Sequence, residues 1–240
     1  MTAIAERLES KPRRRSKPLL PLTLEERLDM LKPEIRVSAT LDDYFALAQD
    51  IDYTIHYSRG QIVSFIELDE KNKQPMGEVA HSHERMVARI IALLANLLDE
   101  GNSDYEIYSS NAKVYIENAQ GAYNPDITIT KGAAIIESIK PAGRVRRTKV
   151  ITNPKIIVEI LSPSTRDFDQ SEKLTDYKKL ESVEQIIFLE QNEIHVQTYI
   201  RQSANQWLNL DFFNNEDALP IVGIEETLKV KDIYRRLIQA

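Results

Sequence analysis

Three residues far apart in the chain could carry out hydrolytic chemistry together: Asp126, Glu159 and Lys173. Two carboxylates offer hard oxygen ligands to a divalent cation such as Mg²⁺ or Mn²⁺. Magnesium suits a site that supplies one or two protein carboxylates and keeps several waters. Such an ion lowers the pKa of a bound water and offsets charge on a phosphate oxygen. An ammonium beside it can orient the attacking water or stabilise a pentavalent phosphate. That set is sufficient for phosphodiester hydrolysis. Spacing alone leaves a plainer account open, with Asp126 as a turn residue after Pro125, Glu159 as an ion-pair partner and Lys173 as a helix-surface charge.

The elements that must position these groups are concentrated in residues 155–180. Ile156, Ile157, Val158, Ile160 and Leu161 form an apolar run between Pro154 and Pro163, the pattern of a buried strand. Glu159 interrupts it. An ionised carboxylate in a buried strand costs several kcal/mol unless something pairs with it, so Glu159 sits at the strand's open end or meets a cation. Ser162-Pro163-Ser164-Thr165 then reads as a turn. Asp169, Lys173 and Tyr177 follow at intervals of four, one face of a helix. Asp169 with Glu172 three residues on reads as an N-cap and capping box, which would place Lys173 in the first turn or so. Upstream, Asn124-Pro125-Asp126 followed by Ile127-Thr128-Ile129-Thr130 predicts a strand with Asp126 at its beginning.

Composition sets the frame. The 240 residues suffice for one full core, and 42% hydrophobic with 28% charged residues is ordinary for a globular protein. The absence of cysteine excludes disulfides, thiolate zinc sites and a cysteine nucleophile. No apolar run approaches the ~20 residues of a membrane span, and the N-terminus lacks a signal-peptide core, so a cytoplasmic protein is expected. With a net charge of -6, a nucleic-acid binder must concentrate its positive charge locally. Two stretches do so. Residues 1–23 carry Lys11, Arg13, Arg14, Arg15 and Lys17 without apolar period and read as a disordered basic tail. Residues 131–154 read as a long connection in which Arg144, Arg146, Arg147 and Lys149 cluster, either a solvated charge run or a phosphate-contacting loop.

The remaining pattern predicts short helices over 24–31 and after Thr40, and a hairpin of Ile51–Tyr57 and Gln61–Glu67 turning at Ser58-Arg59-Gly60. A polar loop at 69–77 is followed by a long helix over about 79–99, with Val79, Met86, Ile90, Leu93, Leu94, Leu97 and Leu98 at helical spacing and Gly101 ending it. Near its start sit Glu78, His81 and His83. Two histidines at i and i+2 diverge on a helix, which argues against a paired clamp, but Glu78 or His83 could face a site. Strands are expected at Tyr105–Ser109, Ala112–Glu117, Glu184–Glu190, Glu193–Arg201 and Gln206–Phe213, and a last helix at about 230–238. The fold class is α/β, bordering on α+β, with one domain over residues 24–240 in which a mixed central sheet carries flanking helices.

Taken together, Pro125-Asp126, the block Val158-Glu159-Ile160-Leu161-Ser162-Pro163-Ser164-Thr165, and Asp169, Lys173 and Tyr177 resemble the Uma-two family of restriction endonuclease-like proteins. That family is abundant in cyanobacteria and forms a branch of the PD-(D/E)XK nuclease superfamily. The resemblance extends over roughly residues 36–237, taking in the hairpin at 51–65, the helix headed by His83, Met86 and Ile90, and the strand pair within 185–201. It implies a restriction endonuclease-like core of helix, three strands, helix and strand, acting as a metal-dependent DNA endonuclease. Asp126 and Glu159 would hold Mg²⁺ or Mn²⁺. His83 and Tyr177 would support them, and a homodimer is left open. The superfamily's lysine usually lies two residues beyond the glutamate, where this chain has Leu161; Lys173 would then be a migrated lysine assisting the attacking water. The strand end Phe188-Leu189-Glu190-Gln191 also departs from the family pattern and is expected to lie away from the metal. A silent binding or scaffold protein keeping the fold is the alternative. A hydrolase of some other phosphate ester ranks below it, since no glycine-rich phosphate loop is present.

Overall fold

The strand Ile156–Leu161 is buried along its whole length and sits inside a six-stranded sheet. The computed structural model describes residues 18–67, 81–100 and 104–237. Most of the basic tail, the polar loop at 69–77, Glu78 and Gly101 therefore lie outside the described residues. On one side Ile156–Leu161 runs parallel to Gln185–Glu190, with Glu159 opposite Phe188. On the other it runs antiparallel to Ile127–Lys131, with Val158 opposite Ile127. Tyr105–Ser109 closes one edge, and Val196–Ser203 and Gln206–Phe212 extend the other.

Alternation divides this sheet's faces. Ile156, Val158 and Ile160 join Ile127, Ile129, Ile187 and Leu189 beneath the helix His81–Glu100, whose Met86, Ile90, Leu94, Leu97 and Leu98 fill the cluster. Ile157 and Leu161 point the other way, toward Phe168, Leu174 and Tyr177 of the helix over residues 166–177 and toward Val63, Val114 and Tyr123 of a second sheet. Glu159 lies between Ile157 and Leu161 on that second face. Each fully buried apolar side chain of these clusters is worth about 1.5–3 kcal/mol, which is what can hold a carboxylate in so costly a place.

The second sheet has seven strands, in the order Glu34–Ser38, Gln61–Phe65, His56–Ser58, Gly121–Tyr123, Val114–Ile116, Thr148–Ile151 and Ile136–Ile139. Its hairpin turns at Arg59 and Gly60, both at positive φ (51° and 79°), the two-residue turn that suits the strands' twist. The first hairpin strand is shorter than expected, since 51–55 is irregular. Thr40 caps the helix Leu41–Leu47 in a full capping box with Asp43. The segment 18–23 already packs on the body: Leu20 is buried and the Tyr53 hydroxyl donates to the Pro21 carbonyl at 2.8 Å.

Two expectations need correcting. The stretch 131–154 is not a structureless connection, since Ile136–Ile139 pairs with Thr148–Ile151 as an edge hairpin. The helix after the central strand starts at Arg166, with Thr165 at its cap, rather than at Asp169. Asp169–Lys173 is a π-helical stretch inside it, and Asp169 is buried, so Asp169 does not cap and Lys173 lies well into the helix. An interior π turn of this kind is frequent at functional sites.

Candidate metal centre

Register accounts for the meeting of the two acids. Val158 faces Ile127 across an antiparallel pair, so one step further Glu159 stands opposite Asp126, on the same face. The Asp126 amide reaches Glu159 Oε2 at 3.4 Å, and Asp126 Oδ2 accepts from the Ile160 amide at 2.7 Å. His83, from the long helix, brings Nε2 to 3.3 Å from the same Oδ2. The carboxylate of Asp126 is thus anchored through one oxygen, leaving Oδ1 for a ligand.

Glu159 does meet a cation. Lys173 Nζ lies 3.0 Å from its Oε1 and 2.7 Å from Asp169 Oδ1, and the Tyr177 hydroxyl donates to the same Oε1 at 2.6 Å. Lys173 is 3% exposed, so it is no surface charge. The face read from the spacing of Asp169, Lys173 and Tyr177 is the face that closes over Glu159. Burial alone would lower the lysine's pKa, but Asp169 and Glu159 hold it above its usual range, so it stays an ammonium.

Glu159 and Asp169 therefore share one permanent ammonium, and Asp126 beside them is partnered by His83, which burial would make less basic but whose pKa Asp126 raises. Burial, with the charges of Asp169 and Asp126, pushes Glu159 up to about 8, and burial raises Asp169 as well. The last proton belongs to the set rather than to one residue. An excess of buried negative charge on hard oxygen donors is the environment a divalent cation stabilises, and the donor set fits magnesium or manganese. Among the described residues these acids do not bring three ligand atoms within 4.8 Å of one another, whereas Glu190, Glu193 and His195 do. The fit is thus to an ion held by two carboxylates with water completing its shell, the arrangement magnesium favours. The Glu190 group fits an ion less well, because Arg166 pairs with Glu190 at 2.5 Å and Asp211 holds His195 Nε2 at 2.8 Å.

Asp126, Glu159, Asp169 and Lys173 line a cavity of about 440 Å³. Two further contributors, His56 and Gln191, were not expected at the site, and Asp169 was expected there in another role. His56 is buried among Phe65, Tyr123 and Phe168, and burial, then Lys173 and Lys113, lowers its pKa well below the usual value, so it is neutral. Gln191 lines the cavity too, so the strand end expected away from the metal in fact borders it. Asp169 was read on the helix face of Lys173 and Tyr177 but given the role of a cap, not of a third acid of the site. His56 stood first in an apolar hairpin strand, where nothing in the spacing marked it.

The basic cluster is placed elsewhere. None of Arg144, Arg146, Arg147 and Lys149 lines the cavity. Arg144 forks onto Asp50, Arg146 donates to the Gln49 carbonyl at 2.7 Å, and Arg147 donates to the Ser138 carbonyl at 3.2 Å. Lys149 lies in the edge strand Thr148–Ile151.

Comparison with known proteins places this fold. Residues 41–230 match the family model Uma2, described as "Putative restriction endonuclease". The chain belongs to that family, and its fold is restriction endonuclease-like. The Synechocystis protein slr1290 is 30% identical over 162 residues, covering 68% of this chain and 79% of that protein. A second, sll1609, is 26% identical over 134 residues, 56% of this chain and 71% of the relative. The crystal structure of a putative nuclease of DUF820 from Anabaena variabilis shares the fold with a TM-score of 0.53 at 16% identity, covering 81% of this chain and 97% of that one. No helix among the described residues is long and apolar enough to cross a membrane.

Proposed function

We propose that this protein is a divalent-metal-dependent endonuclease hydrolysing phosphodiester bonds in DNA, with Asp126 and Glu159 as the Mg²⁺ or Mn²⁺ ligands. The observation that carries the reading is that two buried carboxylates, Glu159 and Asp169, share one buried ammonium, with the half-buried carboxylate of Asp126 beside them at a cavity wall. Family membership supports the nuclease part. An ion bound there would supply Lewis acidity to a phosphate oxygen and acidify a water.

The chain's own groups have distinct tasks. Asp126 is held by the Ile160 amide and His83 so that its second oxygen faces the cavity. Glu159 gives Oε1 to Lys173 and Tyr177, which fix its rotamer and leave Oε2 only weakly engaged. Lys173 donates to Glu159 Oε1 and lies in ion-pair contact with Asp169, so of its three N–H donors at least one is left for an attacking water or a phosphate oxygen. Because it stays charged, it acts as a donor and electrostatic stabiliser and not as a general base. His83 and Tyr177 position the acids. Although Lys173 comes from a helix and not from the strand position of Leu161, its ammonium reaches the glutamate.

The test is cleavage of supercoiled and linear DNA by the purified full chain with Mg²⁺ or Mn²⁺. Nicking or cutting is expected, abolished by EDTA, by Asp126→Ala and by Glu159→Gln. A well-folded protein that cleaves nothing under any divalent metal, or whose Glu159→Gln variant cleaves as well as the parent, contradicts the reading.

A further inference from the structure

The shape of the cavity bears on which nucleic acid reaches the acids. Glu159, Asp169 and Lys173 are 2–3% exposed, while Asp126 and His83 have side chains 15% and 16% exposed, so the reactive centre is recessed and reached past Asp126 and His83. A cavity of about 440 Å³ is at the scale of pockets that enclose one small-molecule-sized group, roughly 300–1,000 Å³. A space of that scale suits a single nucleotide unit.

Leu28, Tyr53, Phe65 and Ile66 give the cavity lining an apolar and aromatic part, interleaved with Asp52, Thr54 and Glu67. Besides Nδ1 of His83 and Oδ1 of Asp169 at the acids, two polar atoms of the lining are buried and carry no hydrogen-bond partner, Nδ1 of His56 and Oε1 of Gln191, on residues 6% and 7% exposed. A buried polar atom left unpaired costs about 1–3 kcal/mol, so a ligand that pairs with either one recovers that cost. Lys173 is the only lysine or arginine among the described lining residues, and it is already engaged. The described rim thus lacks the row of cations with which a protein tracks duplex phosphates.

We infer that the cavity receives one unpaired nucleotide of a single-stranded polynucleotide, with its phosphate at Asp126 and Glu159 and its base against Leu28, Tyr53 and Phe65, where His56 and Gln191 offer hydrogen bonds. A base has an apolar face and a polar edge, and this wall with its two unpaired atoms complements both. The inference rests on the nuclease reading and narrows its substrate to strand ends, overhangs and unpaired positions. DNA and RNA strands share this chemistry and are separate arms of the test.

Affinity is measured by fluorescence anisotropy in Ca²⁺, with the full chain and four labelled probes: a 12-nucleotide DNA strand, its RNA equivalent, a blunt duplex, and a duplex with a six-nucleotide overhang. At least one single strand and the overhang are expected to bind about tenfold or more tighter than the blunt duplex. Leu28→Trp, which fills the apolar end, and His56→Ala are each expected to weaken strand binding about tenfold. Calorimetric Mg²⁺ uptake and the melting transition of Leu28→Trp stay at parental values, separating a blocked pocket from a damaged fold. Equal or tighter binding of the blunt duplex overturns the inference, as does an unchanged strand affinity in Leu28→Trp, and either result leaves the nuclease reading standing. Tight strand binding that Leu28→Trp destroys, in a protein that takes up no divalent metal, upholds the pocket and removes the nuclease reading.

Discussion

Glu159 and Glu190 lie on neighbouring parallel strands and on the same face of one sheet, since Glu159 is opposite Phe188 and Glu190 opposite Leu161. Both are buried, and burial raises the pKa of both. Their partners differ. Glu190 meets Arg166, whose side chain is 44% exposed, and the pair balances one charge against one. Glu159 meets Lys173, which is buried and shared with Asp169, while Asp126 adds a third acid. A balanced pair at a surface is a structural contact of modest worth. An unbalanced buried set is incomplete, and what completes it is a proton or a metal ion.

The most severe way to break this contrast is Lys173→Met. It leaves Glu159 and Asp169 buried with no cation, and the expected loss of stability is about 3–5 kcal/mol by urea denaturation. The corresponding Arg166→Met beside Glu190 should cost about 1 kcal/mol, because water reaches that pair. Equal losses at the two sites would remove the distinction.

Next in size is Asp126→Asn, which keeps the shape and removes one ligand charge. Cleavage should fall by more than roughly 100-fold, beyond the scale reached by losing a mere supporting partner of a metal site, with melting close to parental. Glu190→Gln should leave both cleavage and Mg²⁺ uptake unchanged.

A third consequence concerns pH. Glu159 has an ordinary value of 4.5 and is pushed up to about 8 in the folded chain. Between those values the folded state binds the proton and the unfolded state does not, so stability falls as pH rises through that window. Metal-free protein should melt at progressively lower temperature from pH 5 to pH 8. Saturating Mg²⁺ should flatten the slope, and Glu159→Gln should reduce it. A metal-free melting temperature that rises across this range in the parent would contradict the shared-proton account.

The smallest effects belong to the basic cluster. Arg144→Ala removes a surface fork onto Asp50 and should cost about 0.2–1 kcal/mol. If Arg147 and Lys149 meet phosphates outside the cavity, their double alanine variant lowers affinity and reduces the dependence of log affinity on log salt by up to about two contacts; an unchanged slope assigns them to the solvated surface.

These comparisons also show what the sequence could carry. Glu159 was legible because one acid in an apolar strand demands a partner, and Lys173 and Tyr177 because intervals of four select a helix face. Asp126 was legible as a strand start, and antiparallel register then set it opposite Glu159. Asp169 was misread because a cap and a buried acid look alike locally; Thr165 took the cap and a π turn carried Asp169 inward, which only tertiary packing decides. The hairpin of Ile136–Ile139 and Thr148–Ile151 was invisible because the first strand is mostly exposed and gives no alternation. His56 and Gln191 matter through the cavity they border, a property of the assembled sheets and not of any stretch of chain.

The central claim is that the Glu159 set is one divalent cation short of balance. Isothermal titration with Mg²⁺ near pH 7, repeated in buffers of different ionisation enthalpy, tests it most directly. The account predicts one ion per chain and release of protons on binding, both lost in Glu159→Gln and both retained in Glu190→Gln. Absence of uptake in the folded parent chain, or uptake that survives Glu159→Gln, would contradict it.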